Sequence, residues 1–92
     1  MTDIKDVLEE RAGTHGDFID VAEVAQQLKQ TMRSAAPYTR PHSDLLNTHA
    51  EALDMIASKI ARILAGNPNE PDHWLDIEGY ARLARERIKT DG

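Results

Sequence analysis

The stretch LLNTHAEALDMIASKIARILAGNPNEPDHWLDIEGY, residues 45–80, decides the fold. Apolar residues recur every three or four positions on both sides of residues 66–71, and this is the period of a helix packed on one face. Residues 66–71 contain one glycine and two prolines, which interrupt helices. The stretch therefore predicts one long helix, a short break and a second helix, around which the rest of the chain is organised.

The remaining sequence predicts two earlier helices. The four expected helices cover residues 3–11, 18–35, 43–65 and 72–89, with Ser43 as the cap of the third. Residues 11–17, with Gly13 and Gly16, read either as a helix–helix turn or as a loop whose backbone amides contact a phosphate. The sequence predicts a single all-α domain over residues 1–92, with one short N-terminal helix and three longer ones.

The helical period also predicts which side chains are buried. His73 falls within the apolar stripe of the fourth helix, and Asp76 lies at its rim, where a carboxylate needs an arginine, a backbone group or a metal ion as partner. His49 is expected to be a core histidine with its hydrogen bonds satisfied. The predicted inner stripe of the third helix is Leu46, Leu53, Ile56, Ala57, Ile60, Ile63 and Leu64, and that of the fourth is Trp74, Ile77, Tyr80, Ala81, Ala84 and Ile88.

Composition narrows the classes of function. The 92 residues carry a net charge of −5, which argues against a protein that binds the backbone of duplex nucleic acid. Cysteine is absent, so disulfides and thiolate metal sites are excluded. No secretory signal and no apolar run of about 18–20 residues is present, and we expect a cytoplasmic protein. A nucleotide bound through Mg²⁺ stays open, because the metal supplies positive charge.

Two pairs of candidate metal ligands stand three residues apart on facing helices. Glu51 and Asp54 lie on the third helix, and His73 and Asp76 on the fourth, with Asp72 beside them. Carboxylate oxygens suit Mg²⁺, which also keeps open positions for phosphate oxygens. The alternative is that the acids of the third helix form an ordinary solvated face.

Cations near these acids are candidates for binding phosphate. Lys59 and Arg62 share the third helix with the acids, and Lys29 falls inside the apolar arc of the second helix. Lys29 either extends its charge to solvent at the rim of the core or points it at a phosphate. A nucleophilic triad and a zinc protease site are excluded, because cysteine, a glycine-flanked serine and the H-E-x-x-H motif are all absent.

The sequence of residues 51–64, 66–68, 72–77 and 79–81 resembles small phage- and prophage-encoded domains of uncharacterised function. These domains are distantly similar to the MazG-like all-α nucleoside triphosphate pyrophosphohydrolases. Residues 11–18 also resemble the first motif of those enzymes. The resemblance covers roughly residues 8–84. It implies a MazG-like fold, helix-mediated dimers or tetramers, and Mg²⁺ held by an E-x-x-E pair and an E-x-x-D pair.

By position, Glu51 and Asp54 stand for the first pair of the enzymes, and His73 and Asp76 for the second. Two departures affect catalysis more than the fold: Asp54 is one methylene shorter than glutamate, and the neutral imidazole of His73 is a poor Mg²⁺ ligand. The resemblance therefore implies three metal-binding and catalytic carboxylates, Glu51, Asp54 and Asp76, with Asp72 as a further ligand.

Three hypotheses for function follow. The first is a Mg²⁺-dependent nucleoside triphosphate pyrophosphohydrolase that cleaves between the α and β phosphates. The second is a non-catalytic phage-type protein that sequesters a nucleotide signal or blocks a host protein. The third is a structural helical-bundle assembly protein. In each case we expect a homodimer or higher homo-oligomer.

Overall fold

A computed structural model of the chain describes residues 3–35 and 45–88. Within these ranges it contains four helices: α1 (Ile4–His15), α2 (Phe18–Arg33), α3 (Asn47–Ala65) and α4 (Pro71–Glu86). The described residues form no strand. The predicted all-α class, with the shortest helix first, is confirmed.

The helices begin where short polar side chains or proline satisfy the first turn. The Asp3 carboxylate accepts a hydrogen bond from the Lys5 amide in α1, and Asp17 accepts one from the Ile19 amide, at 3.2 and 3.1 Å. Pro71 occupies the first turn of α4, where its missing amide hydrogen costs nothing.

The start of α3 uses a histidine. The Leu46 amide donates a hydrogen bond to Nδ1 of His49 at 3.0 Å. His49 thus caps the first turn of α3. It is half-buried, whereas the sequence predicted a histidine of the core. Ser43, the predicted cap, lies outside the described residues.

The junction between α1 and α2 is shorter than predicted. Helix α1 continues through Gly13 to His15, so only Gly16 and Asp17 separate the two helices. A glycine inside a helix costs about 1 kcal/mol relative to alanine, which is too little to end one that packs against neighbours. The predicted break over residues 11–17 is therefore wrong for all but its last two residues.

Gly16 and Gly66 bring the end of α1 against the end of α3. Gly16 has a φ of 86°, and a Cβ placed on it would lie 2.4 Å from the carbonyl oxygen of Ala65. A Cβ on Gly66 would lie 2.4 Å from the carbonyl carbon of His15. No side chain fits at either position, and this contact places His15 beside the α3–α4 hairpin.

Helix α3 lies at the centre of the packing, with α2 and α4 against it. Its buried contacts to α2 are made by small residues, because Ala61 packs with Val21 and Ala25. Among the described residues the buried apolar side chains are one valine and four alanines: Val21, Ala25, Ala52, Ala57 and Ala61.

The predicted buried stripes are wrong for several large side chains. Leu46, Leu53 and Leu64 of α3 are exposed, as are Trp74 and Ile88 in the region of α4. Trp74 instead donates its indole N–H to the carbonyl oxygen of Pro68 at 2.8 Å. The buried contacts are made largely by alanines, and several of the leucines are exposed.

None of the described helices has both the length and the apolar content needed to cross a membrane.

Candidate functional site

A histidine is the largest fully buried side chain among the described residues. His73 is 1% exposed, as its place in the predicted stripe of α4 indicated. Its ring meets the ring of His15 edge to face, with centroids 4.8 Å apart and planes at 70°. The contact joins the end of α1 to the start of α4.

Asp76 has a lysine partner. Its carboxylate lies 2.9 Å from Nζ of Lys59, whose side chain is only 12% exposed. The hydrogen bond from Lys59 is the main reason why the pKa of Asp76 lies below its usual value, and the charges of Lys59, His73 and Arg62 lower it further against the opposing effect of desolvation. The prediction that Asp76 needs a partner is confirmed, although the partner is neither an arginine nor a backbone group.

The surroundings of His15 are electropositive. Burial lowers the pKa of His15, and the charges of Arg62, His73, Lys59 and Arg11 lower it further, in that order. We call Arg11, His15, Lys59, Arg62 and His73 the basic cluster. A chain of net charge −5 thus gathers positive charge at one place, with Asp76 as its acidic member.

A cavity opens beside this cluster. It has a volume of about 540 Å³ and lies between α1, the first turn of α2 and α3. That volume falls within the roughly 300–1,000 Å³ that small-molecule sites occupy. We call it the α1–α3 cavity; its lining is Leu8, Arg11, Ala12, His15, Gly16, Asp17, Phe18, Val21 and Arg62.

The lining combines cationic and aromatic groups. Arg11 and Arg62 each present a guanidinium, which binds phosphate or carboxylate through two parallel hydrogen bonds. The Phe18 ring is 81% exposed at the mouth, although the helical period placed it with the apolar residues of α2. An anion that carries an aromatic ring matches this arrangement.

The predicted metal ligands do not all lie together. Glu51 is exposed and lines a second cavity of about 440 Å³ with Tyr80 and Arg87, while Asp72 is exposed in the first turn of α4. Within residues 3–35 and 45–88, no three histidine or acidic side chains are grouped closely enough to share a metal ion. A magnesium site formed by Glu51, Asp54, Asp76, Asp72 and His73 stays a prediction.

Asp54 is the unusual member of that set. It is half-buried on α3, and its Oδ1 atom is buried without a hydrogen-bond partner among the described residues. A buried carboxylate oxygen without a partner costs free energy, and such oxygens often face a cation or a water molecule. Asp54 therefore remains a candidate metal ligand.

The three predicted phosphate-binding cations separate in the structure. Arg62 lines the α1–α3 cavity, and Lys59 lies in the basic cluster with Asp76. Lys29 is half-buried on α2 and does not line that cavity. The structure thus brings together two of the three.

Sequence reasoning assigned no role to Arg11 or His15. Arg11 was placed at the end of the first helix and His15 in the break of residues 11–17, and that break was considered as a loop that contacts phosphate. The signal that would have found them is the pair of glycines Gly16 and Gly66, because Gly66 follows a predicted helix end and a glycine lets two backbones approach closely.

No curated protein and no solved structure matches the chain significantly. A family model described as Domain of unknown function (DUF6378) matches residues 2–88, which is almost the whole chain. The chain therefore belongs to the DUF6378 family.

Proposed function

We propose that this protein binds a nucleotide in the α1–α3 cavity. The supporting observation is geometric: Arg62 of α3 and Arg11 of α1 line the same cavity as the exposed ring of Phe18. An anionic ligand in the cavity is attracted by both guanidinium groups. A cavity with walls of low dielectric also concentrates their field on a bound anion.

The phosphates of the nucleotide bind Arg62 of α3 and Arg11 of α1. Each guanidinium offers two parallel donors to a phosphate, and the two residues come from different helices. A phosphate between them therefore links α1 to α3. Lys59 contributes through its field, because its ammonium group already pairs with Asp76.

The base of the nucleotide stacks on Phe18. Its ring is exposed at the edge of the cavity, and base–aromatic stacking contributes about 1–3 kcal/mol. Leu8 and Val21 add apolar surface next to it. Stacking tolerates any base, so the proposal names nucleotides as the class of ligand and does not select one base.

The second candidate is Mg²⁺-dependent pyrophosphohydrolysis, favoured by the partnerless Oδ1 atom of Asp54 and by the resemblance to MazG-like enzymes. Glu51, Asp54 and Asp76 are its proposed catalytic and metal-binding residues, with Asp72 and His73 as further ligands. The described side chains by themselves do not form a three-ligand site. The alternative without turnover is a protein that sequesters the nucleotide.

Isothermal titration with the ribonucleoside and deoxyribonucleoside triphosphates tests binding. Arg62→Gln removes one charge-assisted contact worth about 1.5–3 kcal/mol, so we expect a Kd at least about tenfold higher. Arg85→Gln is the control, because Arg85 is exposed on α4 and lies outside the cavity lining. Absence of binding at millimolar nucleotide, or equal Kd values for Arg62→Gln and wild type, contradicts the proposal.

Pyrophosphate release in the presence of Mg²⁺ separates the remaining hypotheses. Release that is lost in Asp76→Asn and Glu51→Gln indicates the hydrolase, while binding without release indicates a sequestering protein. Neither binding nor release, with no loss of function when Glu51, Asp54 and Asp76 are neutralised, indicates the structural helical bundle.

A further inference from the structure

Helix α1 buries almost none of its surface against the rest of the chain. Residues 4–13 include no buried residue, and only Val7 among them is half-buried. Ile4 and Leu8 are 68% and 58% exposed. Helix α1 also makes far fewer contacts with α2 and α3 than those two helices make with each other. A helix of 12 residues is only marginally stable in water without packing, so α1 needs a surface to dock on.

The contacts that anchor α1 lie at its C-terminal end. The backbone at Gly16 lies against that of Gly66, and the ring of His15 meets the ring of His73. Before these residues, the α1–α3 cavity of about 540 Å³ lies beside the helix, with Leu8 in its wall. The earlier turns of α1 therefore face a cavity, where a helix of a small domain ordinarily packs on the core.

Helix α1 also contains a glycine that its surroundings do not require. A Cβ on Gly13 would meet nothing within 4 Å, and the glycine with a positive φ is Gly16. Inside a helix, glycine is less favourable than alanine by about 1 kcal/mol. The helix is thus weakened at the point that separates its exposed turns from its anchored end.

We propose that residues 4–12 of α1 open away from the other helices in a substantial share of free molecules, and that a bound nucleotide docks them. This inference rests on the proposed function. A phosphate held by Arg11 and Arg62 connects the opening segment to α3, and a ligand in the cavity covers the exposed surface of Leu8. Because the ligand makes these contacts with α1 only in the docked form, it shifts the population toward that form.

Amide hydrogen exchange tests the docking. In the free chain, the amides of residues 7–12 should exchange faster than those of residues 52–61 in α3, because the first segment opens locally. ATP at ten times its Kd should slow exchange at residues 7–12 about tenfold, since it depletes the open form by mass action. Residues 83–86, in the exposed last turn of α4, should exchange at the same rate with and without ATP.

Gly13→Ala tests the coupling without touching the ligand, because Gly13 does not line the cavity. Alanine favours the helical, docked form, so the Kd for ATP should fall by about two- to fivefold. Gly79→Ala is the matched control. Gly79 lies inside α4 and outside the cavity lining, and a Cβ on it would also meet nothing within 4 Å. This variant should bind ATP with the Kd of the wild type.

Isothermal titration of the same samples separates this inference from the proposed function. Saturable ATP binding with unchanged exchange at residues 7–12 overturns the docking of α1 and leaves the nucleotide site in place. Equal Kd values for Gly13→Ala and wild type do the same. Absence of ATP binding at millimolar concentration overturns both proposals.

Discussion

His15 carries the clearest electrostatic signature of the site. Burial is the main reason why its pKa lies below the usual value of 6.5 in the folded chain, and electrostatic interactions with Arg62, His73, Lys59 and Arg11 lower the pKa further. The unfolded chain has no such environment, so its histidine keeps the usual value. As pH falls below about 6.5, the unfolded state therefore binds a proton that folded His15 does not take up.

The free energy of unfolding should accordingly fall as pH is lowered from 7.5 to 5.5. Stability rises with pH wherever the unfolded state binds more protons, and this is the condition at His15. His15→Gln removes the titrating group and should show a smaller loss over the same interval, measured by urea denaturation at both pH values. Equal losses in the two proteins would contradict the description of this site.

At the scale of single residues, the sequence predicted which side chains of α4 are buried better than it predicted which residues they contact. Helical spacing alone showed that His73 is buried and that Asp76 stands at the rim of the core. It did not show that Lys59 pairs with Asp76, because the choice depends on the alignment of two helices across residues 66–70. For the same reason, the sequence did not show that Glu51 and Asp76 lie apart.

Two glycines at helix ends determine how α1 meets the α3–α4 hairpin. The Cβ that Gly66→Ala introduces would meet the backbone of His15 and Gly16, which must then move. We expect a loss of about 1–3 kcal/mol in the free energy of unfolding, as for other overpacked positions. Nucleotide affinity should fall as well, because the displaced backbone carries His15.

Gly13→Ala is the matched control in the same part of the fold. A Cβ on Gly13 meets nothing within 4 Å, and the residue lies inside α1. Alanine should therefore stabilise the protein by about 0.5–1 kcal/mol. A Gly66→Ala variant as stable as Gly13→Ala in chemical denaturation would show that the close contact has no structural role.

At the scale of the helices, apolar periodicity predicted their number and the fold class. The residues at which the helices end were predicted less reliably. Gly13 was read as a break because composition alone does not show whether a glycine is inside a helix or after it. Leu46, Leu53 and Leu64 were assigned to the interior because periodicity identifies an apolar side of a helix without showing what covers it. Alanines, whose apolar signal is weak, make the buried contacts of α3 instead.

For the molecule as a whole, the distribution of charge matters more than its sum. A net charge of −5 argues against binding to a nucleic-acid backbone, yet two arginines, Arg11 and Arg62, line the α1–α3 cavity with a single acid, Asp17. Composition could not predict this separation, since it arises from the junction of α1 with α3. We therefore propose the cavity as a site for a small anion and not for an extended polyanion.

The most direct test of nucleotide binding is a titration of the isotope-labelled wild type with ATP, followed by amide and side-chain NMR shifts. We predict saturable shifts at residues 11–18 and Arg62, with a shift of the Phe18 ring, and little change at Arg82 or Arg85 on α4. Shifts confined to the cavity that Glu51 and Tyr80 line, or no saturable shift at millimolar ATP, would contradict the assignment of the α1–α3 cavity as a nucleotide site.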